Sequence, residues 1–182
     1  MGVKKKKATI LDKHLPSKLV INRIRMCENC PLHVFAEDGQ VIMFGAGNIF
    51  ASTIMVLPPY DIKAKVDYVT MIDLLEDAYK KITGLDIFEE TYITRSVKCF
   101  SKTNYDLNTI AIKECANKLY YEIVRIHPNK VIVFDKNCDI DTIKANTNCN
   151  VFQVMSPAVM YYDNTELKEI FMKQFKEVIN DS

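Results

Sequence analysis

The sequence predicts an α/β domain built as a three-layer sandwich, with a central four-stranded parallel sheet between two layers of helix. Four short, nearly unbroken apolar runs read as strands buried on both faces. Segments with apolar residues three and four apart read as amphipathic helices. Strand and helix alternate from residue 53 onward, the pattern of right-handed βαβ crossovers. A chain of 182 residues suits one such domain with a short arm.

The elements follow in chain order. Residues 1–15 form a basic arm that carries Lys4, Lys5, Lys6 and Lys7, and the domain occupies residues 16–182. A first helix is expected over 16–26, with Leu19, Val20 and Ile24 inward. The first strand is 53–57. A helix over 68–82 then places Val69, Ile72, Leu75, Ala78, Tyr79 and Ile82 at helical spacing, and Gly84 stops it. The second strand, 91–94, precedes a long helix over 107–126 with Ile110, Ala111, Cys115, Leu119, Ile123 and Ile126 in register. His127 before Pro128 ends that helix, because the residue before a proline avoids the helical region. Strands at 130–134 and 151–154 and a helix over 166–179 complete the pattern. Ligands of such sheets sit beyond the carboxyl ends of the strands. That directs attention to Pro58 through Asp61, to Arg95 and Ser96, to Asp135 through Asn137, and to Met155 through Pro157.

Composition narrows the function classes. The chain is 48% hydrophobic and 26% charged, an ordinary globular balance, and its net charge of +1 recommends no partner class by itself. No run of eighteen apolar residues occurs, so no membrane partner is expected. The lysine run lacks the apolar segment of a secretory signal, and a cytoplasmic location is expected (the host cytoplasm for a viral chain). The run reads as a solvated arm, or as an arm that touches phosphates. Usage rich in Lys, Ile and Asn points to an A+T-rich genome, as in bacteria and their viruses.

Six cysteines in such a compartment suggest metal ligation or burial rather than disulfides. Cys27 and Cys30 form a C-x-x-C pair, Cys99 follows the second strand, and Cys115 lies in the long helix. Four thiolates from three segments suit tetrahedral zinc or a cubane iron–sulfur cluster, and sulfur ligation alone does not choose between them. Cys138 and Cys149 have no partner at ligand spacing and read as structural.

The cysteines stand in a context that resembles the family 4 uracil-DNA glycosylases. That family has a C-x-x-C near the N-terminus, a third cysteine closing a Y-I-T-N-x-V-K-C strand motif, and a fourth about sixteen residues later. Here Tyr92-Ile93-Thr94-Arg95-Ser96-Val97-Lys98-Cys99 is followed by Cys115. Where the family has a G-x-G-N-x-x-A-x-I-M-x-V stretch, this chain has Gly45-Ala46-Gly47-Asn48-Ile49-Phe50-Ala51-Ser52-Thr53-Ile54-Met55-Val56. A proline-led strand, Pro128 through Val133, also matches. The likeness runs from about residue 18 to the C-terminus. It implies a uracil-DNA glycosylase-like fold and a 4Fe–4S cluster on Cys27, Cys30, Cys99 and Cys115.

The same resemblance implies three catalytic sites, and all three depart. Where the family has a G-E-A-P-G turn, this chain has Pro58, Pro59, Tyr60 and Asp61; prolines offer no N–H to a ligand. Where the family asparagine pairs with the edge of uracil, Arg95 stands, a larger side chain with donors only. Arg95 is expected to fill the pocket or point toward phosphate. Where an H-P-S histidine stabilises the leaving base, Ser156 stands, an uncharged and weaker donor. The expectation is therefore a catalytically inactive protein that binds DNA, single-stranded DNA included, or docks a replication or transcription protein. Lys98, Lys102, Asn104 and Tyr105 are its candidate DNA contacts, with Tyr60, Phe100 and Tyr105 available to stack on a base. The alternative is an active glycosylase for uracil or another modified base, using Asp61, Arg95 and Ser156. Electron transfer or redox sensing ranks last.

Overall fold

The computed structural model describes residues 45–59, 66, 68–98 and 105–181, with residues 105–109 described by their backbone alone. The arm over 1–15, the helix over 16–26, and Cys27, Cys30, Tyr60, Asp61, Cys99, Phe100, Lys102 and Asn104 lie outside the described residues.

In chain order the elements are β1 (Ala46–Gly47), β2 (Thr53–Leu57), α1 (Tyr68–Thr83), α2 (Ile87–Glu90), β3 (Thr91–Arg95), α3 (Tyr105–Ile126), β4 (Lys130–Val133), α4 (Ile140–Asn146), β5 (Asn150–Gln153), a 3₁₀ turn (Pro157–Tyr161) and α5 (Thr165–Asn180). The sheet order is β1-β3-β2-β4-β5. β2 pairs in parallel with β3 and β4, and β4 with β5, with Met55 opposite both Ile93 and Ile132.

The four predicted strands and the helices from residue 68 onward are therefore present. The four-stranded parallel sheet needs correction: the described sheet is five-stranded and mixed, because β1 adds to β3 antiparallel. Two residues are too short to show a period of two, so pattern reading passes over β1. The glycines of the Gly45-Ala46-Gly47-Asn48 stretch make that pairing possible. A Cβ on Gly45 would stand 2.1 Å from the Tyr92 ring. Gly47 has φ +104 and its Cβ would meet the Thr91 carbonyl at 2.3 Å, so only glycine fits. Asn48 then donates its side-chain amide to the Glu89 carbonyl at 2.9 Å, pinning the strand end to α2.

Alternation along the strands divides the core between two faces. Met55, Leu57, Ile93, Ile132 and Phe134 face α1 and α5, where they meet Leu75, Tyr79, Phe171 and Phe175. Ile54, Val56, Tyr92, Val131 and Val133 face the other way, toward Leu119 and Ile123 of α3 and Ile143 of α4. Helices thus cover both faces, as near-continuous apolar strands require. Each fully buried apolar side chain contributes about 1.5–3 kcal/mol of transfer free energy. Lys130 fixes the last turn of α5 by donating to the Val178 and Ile179 carbonyls at 2.8 and 3.3 Å, and also to that of Asp181.

The helix stops follow local chemistry. Gly84 adopts φ +75 and its N–H closes on the Lys80 carbonyl at 2.9 Å. At the end of α3 the same left-handed cap is made by His127, at φ 53, whose N–H reaches Ile123 O at 3.0 Å. α2 and α4 were not expected; the first has only four residues, and both start on an aspartate cap. Asp86 accepts from Phe88 N at 2.8 Å and Asp139 from Thr142 N at 3.0 Å.

The crossovers explain where a ligand would sit. From β2 the chain goes to β3 on one side, then returns past β2 to β4 on the other. The strand order reverses between β2 and β4, so the crevice for a ligand opens beyond their carboxyl ends.

Candidate functional site

Beyond the carboxyl ends of β2, β3 and β4 the interior turns polar. Thr94, Arg95, Ser96, Lys98, Glu122 and Asp135 are all buried, and Lys98 has no exposed surface (0%). Strand alternation sends Thr94 toward α3 and Arg95 toward α1.

On the α3 side, the Lys98 ammonium donates to Glu122 Oε2 at 2.8 Å and to Thr94 Oγ1 at 2.6 Å. The Thr94 hydroxyl in turn donates to Glu122 Oε2 at 2.6 Å. Three residues from the end of β3, the turn after it and helix α3 thus share one closed set of hydrogen bonds. Burial pulls the Lys98 pKa below the usual lysine range, while the Glu122 carboxylate, its hydrogen bond and the nearby Cys115 sulfur oppose that fall. Glu122 Oε1 accepts no hydrogen bond among the described residues.

On the α1 side, the Arg95 guanidinium carbon lies 4.4 Å from the centroid of the buried Tyr68 ring, a cation–π contact. Its Nη2 donates to the Lys98 carbonyl at 3.3 Å. Burial pushes the Tyr68 hydroxyl up to about 12.

A second carboxylate, Asp135, follows β4 at the crevice. Its Oδ2 accepts from Ser96 Oγ at 2.5 Å and its Oδ1 from Asn137 N at 2.9 Å. The pair spans the end of β2, and Ser96 N donates to Leu57 O at 3.1 Å. Burial raises the Asp135 pKa, opposed by the Ser96 hydrogen bond. Cys138 sits close by, its thiol pushed up to about 12 by burial and then by Asp135. A thiol so protonated is inert, in line with a structural role. Cys149 is half-buried, with its sulfur 2.9 Å from Thr147 Oγ1.

These contacts limit what the site can do. The hydroxyl of Ser96 and the carboxylate of Asp135 serve each other inside the protein, and both residues are almost fully covered. Lys98 is held in an ion pair. The described residues at the crevice therefore present a packed polar interior rather than an accessible nucleophile and base.

The predicted site residues divide accordingly. Arg95 is buried in the interior against Tyr68. Lys98 corrects the expectation of a DNA contact: its ammonium turns inward, held by two acceptor atoms, Thr94 Oγ1 and Glu122 Oε2. Ser156 is half-buried and caps the 3₁₀ turn, accepting from Ala158 N at 3.3 Å. Cys115 is buried against Val97, Ala111 and Ile112. Tyr105 is the first residue of α3.

Glu122 and Tyr68 were missed as members of this network. Glu122 carried a readable signal: it continues the inward face of α3 through Cys115, Leu119 and Ile126, at spacings of four, three and four. A glutamate on an apolar face demands a buried partner. Tyr68 carried none, since a tyrosine at a helix start is ordinary.

Cys115 packs against Val97, which stands two residues before Cys99 in the sequence. Among the described residues no cluster of His, Cys, Asp and Glu forms a metal site, and the other three cysteines lie outside them. No helix among the described residues is long and apolar enough to cross a membrane. No protein-family model matches this chain, and no curated protein matches it.

Proposed function

We propose that this chain is a 4Fe–4S protein on a three-layer, uracil-DNA glycosylase-like fold that does not excise uracil and serves as a DNA-binding or protein-docking factor in DNA transactions. Cys27, Cys30, Cys99 and Cys115 would hold the cluster, whose role is to staple the N-terminal segment, the exit of β3 and helix α3 to one another. The observation that carries the inactive reading is the burial of Arg95 against Tyr68, 4.4 Å from the ring centroid. The resemblance puts a base-pairing asparagine at this position. A guanidinium stacked on an aromatic ring has neither the acceptor nor the room that a uracil edge requires.

Two further observations support this reading. Ser156 spends its hydroxyl oxygen on a local cap, where the resemblance expects a histidine that stabilises the leaving base. Among the described residues, the carboxylate at the crevice is Asp135, which is covered and already hydrogen-bonded to Ser96 and Asn137.

With Lys98 turned inward, Lys102, Asn104 and Tyr105 are the remaining candidates for DNA contact, with the lysine run of the arm. Phosphate contacts make binding depend on salt. The test pairs two readings on one anaerobic preparation. Iron and acid-labile sulfide should be present in equal amounts, and fluorescence anisotropy should show a single-stranded oligonucleotide binding more weakly as salt rises. A colourless, zinc-containing chain would overturn the cluster. Absence of binding to single- and double-stranded DNA would leave protein docking as the function, to be read by cross-linking in the native cell.

A further inference from the structure

We infer that the buried Thr94–Lys98–Glu122 triad is a brace that sets the placement of two cluster ligands, Cys99 and Cys115. The inference rests on the cluster reading above. Lys98 directly precedes Cys99. Glu122 stands seven positions after Cys115 on α3, two turns along the same helix face. The 2.8 Å contact between Lys98 Nζ and Glu122 Oε2 therefore ties the stem of one ligand to the helix that carries the other. Thr94, at the end of β3, joins both and anchors the tie to the sheet. Val97, next to Lys98, shares an apolar cluster with Cys115.

A buried ion pair is a poor means of raising stability. Its desolvation offsets most of the Coulomb attraction, and apolar residues of similar volume often serve the fold equally well. What the triad supplies is direction. The ammonium has three donors, and two are committed to fixed acceptors on different elements. Thr94 accepts from Lys98 and donates to Glu122, so sliding α3 along the sheet would break both hydrogen bonds to Glu122 together. Methylene groups packed in the same space would tolerate that slide. Residues that orient metal ligands in this way commonly change metal retention about 10–100-fold when removed. Thr94, Lys98 and Glu122 are on this account positioning residues, and the thiolates alone are ligands.

The test uses the full chain purified without oxygen, as the wild type, the double variant Lys98→Met/Glu122→Leu, Thr94→Val and Thr94→Ser. Iron and acid-labile sulfide are measured per chain, and decay of the iron–sulfur visible band is followed in the presence of an iron chelator. Circular dichroism reports whether each chain is folded. The double variant is expected to be folded yet to lose its visible band about 10-fold faster. Thr94→Val, which leaves the charged pair in place, should bleach faster than wild type, and Thr94→Ser should restore the wild-type rate by returning the hydroxyl. Should the double variant fail to fold, the threonine pair decides. Iron retention in the folded variants equal to that of an iron-loaded wild type would overturn the brace alone. A wild-type chain without iron would overturn the cluster reading and the brace with it.

Discussion

On the face covered by α1 and α5, the sheet presents Met55, Leu57, Ile93, Ile132 and Phe134 to Phe171 and Phe175. On the face covered by α3 and α4, the same strands begin with Ile54, Val56, Tyr92 and Val133, but the α3 side then takes in Thr94, Lys98 and Glu122. The first face is held by contact area, with Phe134 edge-on to Phe175 at 5.7 Å and Phe171 stacked on Phe175 at 5.5 Å. Arg95, stacked on Tyr68, is the charged exception there. The second face adds directed bonds between named atoms. Area is insensitive to small slides; directed bonds are not. A protein that needed only a stable core could have made both faces alike, and the difference marks the α3 face as the one where placement matters.

The comparison can be broken or sharpened by substitution. The largest effect is expected from Phe175→Ala, which empties the centre of the aromatic cluster. It should cost about 4 kcal/mol of unfolding free energy in a denaturant titration. On the other face, Lys98→Ala strands Glu122 in the interior and should cost about 3 kcal/mol, whereas Lys98→Met/Glu122→Leu should come within about 1 kcal/mol of wild type. A double variant as damaged as the single one would show that this face, too, is held by its contacts rather than by their direction.

Gly84→Ala serves as a control at the end of α1, away from both networks. Nothing lies within 4 Å of the added Cβ, so only the φ of +75 is at issue. A loss of about 1 kcal/mol is expected. The smallest effect at neutral pH is expected from Asp135→Asn, and it is best read through pH. Burial raises the Asp135 pKa from its ordinary 3.8, so the folded chain holds this proton more tightly than the unfolded chain. The stability it contributes is full below 3.8 and is lost as pH rises through the folded value. Wild type should therefore lose stability relative to Asp135→Asn over that rise, and parallel stability curves would refute the assignment.

Period carried most of the fold into the sequence. The apolar runs at 53–57 and 130–134 and the helical spacing over 68–82 each correspond to an element seen in the structure. Elements of only about one period escaped, as β1 and α2 show, and the two-turn α4 escaped as well. Of the site, the donor-only character of Arg95 and the uncharged hydroxyl of Ser156 were legible as chemistry, but the direction in which Lys98 points was not. A lysine in a turn between strand and helix reads as solvated surface. Only the partners brought from Thr94 and, along α3, from Glu122 make its burial tolerable. Pairings of this kind, 24 residues apart, are set by topology and leave little trace in local pattern.

The central claim is that the cysteine frame is kept while the base-recognition position is filled by Arg95. Release of free uracil from a single-stranded uracil oligonucleotide, by an anaerobic preparation of known iron content, tests it most directly. The account predicts an iron-loaded chain that leaves the oligonucleotide intact, with no abasic sites after alkali treatment. Turnover of uracil by that preparation would contradict it.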